Sequence, residues 1–460
     1  MTASLLLVLS PALAAAQTAQ EEAEAAISAG DTAWILISTA LVLLMTAGLA
    51  FFYGGLVRSK NVLNTMMMCF ISFGVAGVLW AFFGFSLAFG EGGALVGDLS
   101  KAFLRGVGVE PEGTIPAMLF MAFQGTFAII TAALICGAIV GRMRFGPYIA
   151  FIALWGLVVY APVAHWVWGG GWLGEMGALD FAGGAVVHVN AGAAAAVAAM
   201  VLGPRADYGR QAMLPHNVPF VLLGAGLLWF GWMGFNGGSA LAANEFAALA
   251  LVNTLFAPAA AVVVWALLDV ATSKQITAVG LATAIVVGLV AVTPAAGFIS
   301  PIWAIVLGAI AALPSYGLIR ARPRTGFDDS LDVFAAHGVG GLTGAILTGV
   351  FASAAVNGST DGLIYGNAAQ VGVQAATVLA VLVYSGGVTF VLLKAIGLFT
   401  VLRPAPEIER RGIDTLAHGE EAYASGEGAI LLLDEELNGG PVTPARKPAS
   451  TVSVPAGAAR

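Results

Sequence analysis

Only a tenth of this 460-residue chain is charged, with 19 basic and 26 acidic residues, and 59% of it is hydrophobic. A soluble protein carries roughly a quarter charged residues, so this composition excludes a water-soluble globule. The net charge of −7 comes largely from the ends and loops and offers no basic surface to nucleic acid.

Residues 62–90 and 116–141 contain no charged side chain. Each run exceeds the ~20 residues that cross a bilayer as a helix. A barrel would show ten-residue alternating segments instead. The expected class is an all-α polytopic membrane protein embedded in a lipid bilayer. Sixty glycines favour close approach of helix backbones in such a protein. Cys69 and Cys136 lie in apolar runs and read as small buried hydrophobes, not as a disulfide or metal ligands.

In chain order, residues 1–16 look like a signal peptide, because the apolar run is too short to span and ends in small residues. Residues 17–32, with Glu21, Glu22 and Glu24, form an extracytoplasmic lead-in. Eleven spans are then expected, at roughly 33–57, 62–89, 116–140, 146–164, 184–203, 218–238, 246–268, 275–293, 297–318, 334–353 and 371–400. Basic residues follow the odd-numbered spans: Arg58 and Lys60, Arg142 and Arg144, Arg205 and Arg210, Lys274, Arg320 to Arg324, then Arg403, Arg410 and Arg411. Cytoplasmic loops attract Lys and Arg, so the N-terminus is outside and the C-terminus inside. Residues 33–402 form the membrane domain, 403–424 an ordered cytoplasmic tail, and 425–460 have the composition of a disordered one.

The alternation gives spans one to five and six to ten opposite orientations. Gly48-Leu-Ala-Phe-Phe-Tyr-Gly-Gly55 in span one is similar to Gly231-Trp-Met-Gly-Phe-Asn-Gly-Gly238 in span six, and His188 in span five matches His337 in span ten. A five-plus-five inverted repeat with an extra eleventh helix follows, and it brings the two histidines together near the midplane.

A titratable ring in an apolar span loses most of its hydration, so such residues usually face a bundle interior and carry function. Two neutral imidazoles in contact share one N–H and leave polar edges towards a lumen. That suits a small neutral molecule with a lone pair and N–H groups. Two satisfied helix–helix hydrogen bonds are the bland alternative. A metal site needs more ligands than two histidines. Phe123-Gln-Gly-Thr-Phe127 puts two rings on one helix face. Ala164–Gly171, in the outer loop after span four, and Phe235–Ser239, at the outer end of span six, fall on the same side. Aromatic faces plus a hydroxyl can hold a small cation; an interfacial aromatic belt is the alternative. Asp180 is expected to cap the helix of span five, direct substrate contact being the sharper alternative, and Asp332 to cap span ten in the same way. Lys394 is placed to snorkel at the inner end of span eleven.

From Trp34 to Tyr423 the chain resembles the ammonium transporter family that includes the Rh glycoproteins, and especially its bacterial members. The motifs are Ala50-Phe-Phe-Tyr-Gly-Gly55, Phe123-Gln-Gly-Thr-Phe-Ala-Ile-Ile130, His165-Trp-Val-Trp-Gly-Gly-Gly171, Asp180–Asn190, Gly231–Ser239 and Asp332-Val-Phe-Ala-Ala-His337-Gly338. The resemblance implies a homotrimer with one pore per subunit. It makes Phe127, Trp168 and Ser239 an outer ammonium site, Phe127 and Phe235 a stacked gate, His188 and His337 a twin-histidine pair, and Asp180 the support of the outer site. Arg410–Tyr423 is similar to the family's cytoplasmic tail, which touches neighbouring subunits and PII signal proteins. The function implied is electrogenic ammonium transport in a bacterial inner membrane, with neutral ammonia crossing the constriction, without enzymatic activity, cofactor or metal. A passive channel for ammonia or carbon dioxide and an ammonium-sensing receptor signalling through the tail are the rivals.

Overall fold

A computed structural model describes residues 27–423. The expected leader at 1–16, the lead-in as far as residue 26, and the tail from residue 424 lie outside the described residues. Among the described residues, eleven helices are long and apolar enough to cross a membrane: Ala29–Leu56, Ser59–Phe89, Ala117–Cys136, Phe145–Glu175, Gly184–Leu202, Val218–Gly238, Glu245–Ser273, Ala278–Ala295, Pro301–Arg324, Phe334–Phe351 and Ala369–Phe399. They are spans one to eleven. The chain is an all-α polytopic membrane protein.

Polar residues set the starts of these helices by accepting the first free backbone N–H groups. Ser28 Oγ accepts from Asp31 N at 3.2 Å, so span one begins at Ala29, inside the segment expected as lead-in. Asn217, Asn244 and Thr277 open spans six, seven and eight in the same manner. Span four also differs from expectation. The segment expected as an outer loop is helical through Trp168, because a π-helical turn at Gly156–Tyr160 precedes Pro162. Proline lacks the N–H that an α-helix needs, and a wider turn beside it carries the helix onward. The helix breaks only at Gly169–Gly171, where Gly170 takes φ +84°.

The repeat is visible in the packing. Span one lies along span six with backbones in contact: a Cβ on Gly224 would sit 2.3 Å from Phe52 N. Spans five and ten meet as closely, since a Cβ on Gly192 would fall 2.3 Å from Gly338 Cα. Span eleven stands outside the two sets of five and is tied to spans four, five and ten. Trp155 Nε1 donates to Thr389 Oγ1 at 3.1 Å, Ser385 Oγ to Asn190 O at 2.8 Å, and Gln374 Nε2 to Ala345 O at 2.9 Å. Cys69 and Cys136 are buried, free, and 3.7 Å apart between their sulfurs.

One end of the bundle gathers the basic residues, which marks it as the cytoplasmic face. Arg205 holds Asp328 through Nε at 2.8 Å and Nη2 at 2.7 Å, and the buried Arg142 donates to Ser330 Oγ and Asp328 O, both at 2.5 Å. The tail is knitted into this face. Asp414 accepts from Leu63 N at 3.0 Å and Asn64 N at 2.8 Å, so a residue 350 positions away caps the long helix of span two. Ile413 N donates to Asn61 Oδ1 at 3.0 Å, and Arg403 pairs with the buried Glu409.

The role expected of Asp332 falls instead to Asp329. Asp332 has φ +58°, which turns its carboxylate away to Arg322 Nε at 2.5 Å. Asp329 Oδ2 accepts from Phe334 N at 2.7 Å and starts span ten. Burial, and then the Asp332 carboxylate beside it, push the Asp329 carboxyl upward.

The contact between spans five and ten leaves no room for a side chain. We expect Gly192→Val to destabilise the protein by about 3 kcal/mol, in the range of overpacked cores. Gly226→Ala, whose Cβ meets nothing within 4 Å, serves as the control. Melting in detergent checks this; equal midpoints for the two variants would contradict the packing.

Candidate functional site

The two histidines sit in matching and unusual pieces of backbone. His188 lies in a six-residue π-helical turn at Gly184–Val189, and His337 in another at Phe334–Val339. Such wide turns recur at functional sites. Each is fastened at its start by an aspartate eight positions before the histidine. Asp180 accepts from Gly183 N at 2.9 Å, Gly184 N at 2.5 Å, Ala185 N at 2.8 Å and Val186 N at 3.0 Å. A carboxylate has about four lone-pair sites, so these four donors occupy it fully and leave it little capacity for substrate. Asp329 serves the second turn.

The turns aim the imidazoles at one another. Nδ1 of His188 and Nδ1 of His337 are 3.2 Å apart, with ring centroids at 5.3 Å and planes 27° from parallel. At this distance one nitrogen can donate to the other, so the two rings can share one proton. Both side chains are buried, and Nε2 of His188 has no hydrogen-bond partner among the described residues. The cavity they share with Met45, Leu49, Ile130 and Val286 has about 10 Å3 of room, enough for one water-sized molecule.

Aromatic rings continue the line outward. Phe235 lies 6.0 Å from His188 and 4.3 Å from Phe127 between centroids. Phe127 lies 6.2 Å from Trp168, nearly perpendicular to it at 86°. The two phenyl rings are buried, whereas Trp168 is half-buried. Trp168 Nε1 donates to Asp180 O at 2.8 Å, so one residue holds both the π turn and the outermost ring. Ser239 is half-buried at the end of span six, and its hydroxyl donates to Phe235 O at 2.8 Å, leaving its lone pairs unused. Inward from His337 lies a cavity of about 170 Å3 with Tyr53, Arg322, Ser330 and Asp332 on its wall, so the polar inner face begins there.

The structure thus brings Trp168, Phe127, Phe235, His188 and His337 into one file, with Asp180 behind it. Sequence reasoning missed two participants. Trp232 stacks on His188 with centroids 5.3 Å apart and planes 24° from parallel, and is fixed by its Nε1 bond to Thr293 Oγ1 at 2.8 Å. It occurs three residues before Phe235, a helical spacing that puts both on one face. Asp329 was signalled by its equal spacing from its histidine.

The profile of the Ammonium Transporter Family matches residues 33–423. The chain belongs to the ammonium transporter family. An ammonium transporter of Bacillus subtilis is 47% identical over 399 residues, spanning 86% of this chain and 98% of its own. Among solved structures, Saccharomyces cerevisiae Mep2 superposes with a TM-score of 0.79 at 36% identity, over 83% of this chain and 88% of its own. A protein described as a sensor Amt protein gives 0.79 at 32% identity, covering 85% and 98%. The ammonium transporter family therefore accounts for nearly all the described residues, tail included.

An asparagine at 180 has one carbonyl oxygen for four donors. Asp180→Asn should leave buried N–H groups unpaired at about 1–3 kcal/mol each, lowering the melting temperature and disordering the turn that carries His188. A variant with unchanged melting and unchanged amide exchange at 183–188 would contradict this support role.

Proposed function

We propose that the chain is an electrogenic ammonium transporter with residues 33–402 as its transport unit. Ammonium is held outside by Trp168, Phe127 and the Ser239 hydroxyl, gives up a proton, and passes as neutral ammonia between Phe127 and Phe235 and along His188 and His337. The observation that carries this reading is the file of rings ending in two neutral imidazoles 3.2 Å apart within an apolar constriction.

The physical reason is selectivity by desolvation. Potassium is close to ammonium in size and charge but has no proton to leave behind. In the constriction it would lose water and meet no carboxylate or ring of carbonyls in return. Ammonia loses much less and can hydrogen-bond to the imidazole edges. A passive gas channel has no use for a cation site, which is why the aromatic mouth favours transport of a charged species. The same reading gives a homotrimer in a bacterial inner membrane, a cleaved leader at 1–16, and a cytoplasmic tail at 403–424 within reach of neighbouring subunits and a PII-type protein. A sensing role is the second reading, supported by the likeness to a sensor Amt protein and by the tail's hydrogen bonds to the start of span two.

Current across proteoliposomes under ammonium, methylammonium and potassium gradients tests the proposal. We expect ammonium current without potassium current; ligand binding with no current would favour the sensor. Replacing His188 by Asp puts a full acceptor charge in the constriction. His188→Asp, alone or with His337→Glu, should admit potassium current; variants that still fold, conduct ammonium and reject potassium would move selectivity to the outer mouth. Trp168→Leu removes a cation–π contact of about 1–2 kcal/mol, a loss of roughly 5- to 30-fold in apparent ammonium affinity. Unchanged affinity and selectivity in that variant would remove Trp168 from the recruitment site.

A further inference from the structure

The cytoplasmic face has a large groove well away from the histidine path. Its volume is about 740 Å3, the size that takes a ligand of several side chains. Phe145 and Pro147 at the start of span four line one side, and Ile408 and Leu416 of the tail line the other. Arg144 and Arg403 also line it. Arg403 is already paired with Glu409. Arg144 is exposed and makes no ion pair among the described residues. A trough of mixed lining, with apolar side chains along both walls and an unpaired guanidinium at its side, fits a short apolar segment that ends in acidic residues.

The chain carries such a segment just beyond the described residues: Ile430-Leu431-Leu432-Leu433-Asp434-Glu435-Glu436. Its four branched side chains are too few to span a membrane, and three carboxylates follow them directly. The length of the connection fits. Ile413, Leu416 and Ala417 present one side of the short tail helix Asp414–His418 to the groove. Asp414, Thr415 and Tyr423 line a different cavity on the other side. A helix is roughly 10–12 Å across, and the seven residues from Tyr423 to Ile430 reach roughly 23 Å when extended.

We propose that this groove is the docking site of the chain's own segment Ile430–Glu436, with the apolar residues in the trough and the carboxylates beside Arg144. The docked segment fastens the tail to the start of span four, in addition to the fastening that Asp414 makes to span two. The inference is independent of what the pore conducts.

Hydrogen–deuterium exchange on the full-length protein in nanodiscs, compared with a chain ending at Ala424, tests it. Truncation should speed amide exchange at 145–148 and 413–417 about tenfold or more, with exchange in span five unchanged. Leu431→Ser/Leu432→Ser in the full chain should do the same, and Arg144→Glu should do so more weakly. A synthetic peptide of residues 425–440 should restore protection to the truncated protein. If both chains exchange alike at these amides, a neighbouring subunit, lipid or nothing covers the groove and the proposal is overturned. It is equally overturned if the serine variant keeps full protection.

Discussion

Two imidazoles in contact inside an apolar bundle form the constraint on which the rest of this structure depends. Burying a polar ring without a partner costs several kcal/mol, and the 3.2 Å contact between His188 and His337 removes that cost for one nitrogen of each ring. To make that contact, two helices must approach until their backbones touch, at Gly192 and Gly338. They must also widen into π turns so that the rings project into the same space. Each π turn stands at the start of its helix, where the first backbone N–H groups have no partner within the helix, and an aspartate at the head of each turn takes up such donors. Asp180 takes four of them. Glycine, π turn and aspartate are thus consequences of one requirement, and all three recur in the two histidine-bearing spans, five and ten.

The same requirement orders the path on either side. Outward, the surroundings change from imidazole to phenyl to a half-exposed indole, so the polarity of the walls falls and then rises towards water. Inward, Tyr53, Ser330, Asp332 and Arg322 follow within one cavity. Under the proposed function a cation is held at the outer mouth by π faces and again near the inner polar groups, but not between. The proposed separation of proton from ammonia follows from that profile, since only the neutral molecule suits the middle.

Much of this was legible in the sequence, for identifiable reasons. Uncharged runs longer than a bilayer and basic residues after every odd span gave the count and the orientation, because the bilayer core penalises charge and cytoplasmic loops attract Lys and Arg. His188 and His337 stood out because a titratable ring in an apolar run needs a reason. The phenyl, indole and serine positions came from motif resemblance; the structure sets Phe127 beside Phe235 and Trp168 and ties the Ser239 hydroxyl to Phe235 O, without stating what they bind. What periodicity could not show was backbone geometry. The π turn before Pro162 carries span four through residues expected as a loop, and a proline in an apolar run ordinarily argues for an end. Asp332 had the better apparent claim to cap span ten because it is nearer the helix start. Its left-handed φ, invisible in the sequence, turns it to Arg322 and leaves the role to Asp329.

The cytoplasmic face obeys a different economy. Here water is available and charge is cheap, yet Arg142 and Asp328 are buried and the tail is held by hydrogen bonds to helix ends. The α-helix of span two, from Val62, begins with backbone N–H groups that the residue before it, Asn61, does not cap. Asn61 instead accepts from Ile413 N, and Asp414 supplies the carboxylate that Leu63 N and Asn64 N need. The start of a membrane helix therefore depends on a residue after the last span. Span two packs along span three, which carries Phe123 and Phe127. Any ligand or partner that draws Asp414 away leaves those N–H groups uncapped in a helix that touches the one bearing Phe123 and Phe127. Coupling between tail and pore requires two arrangements that differ in free energy, and the capped and uncapped starts of span two supply a physical difference of that kind.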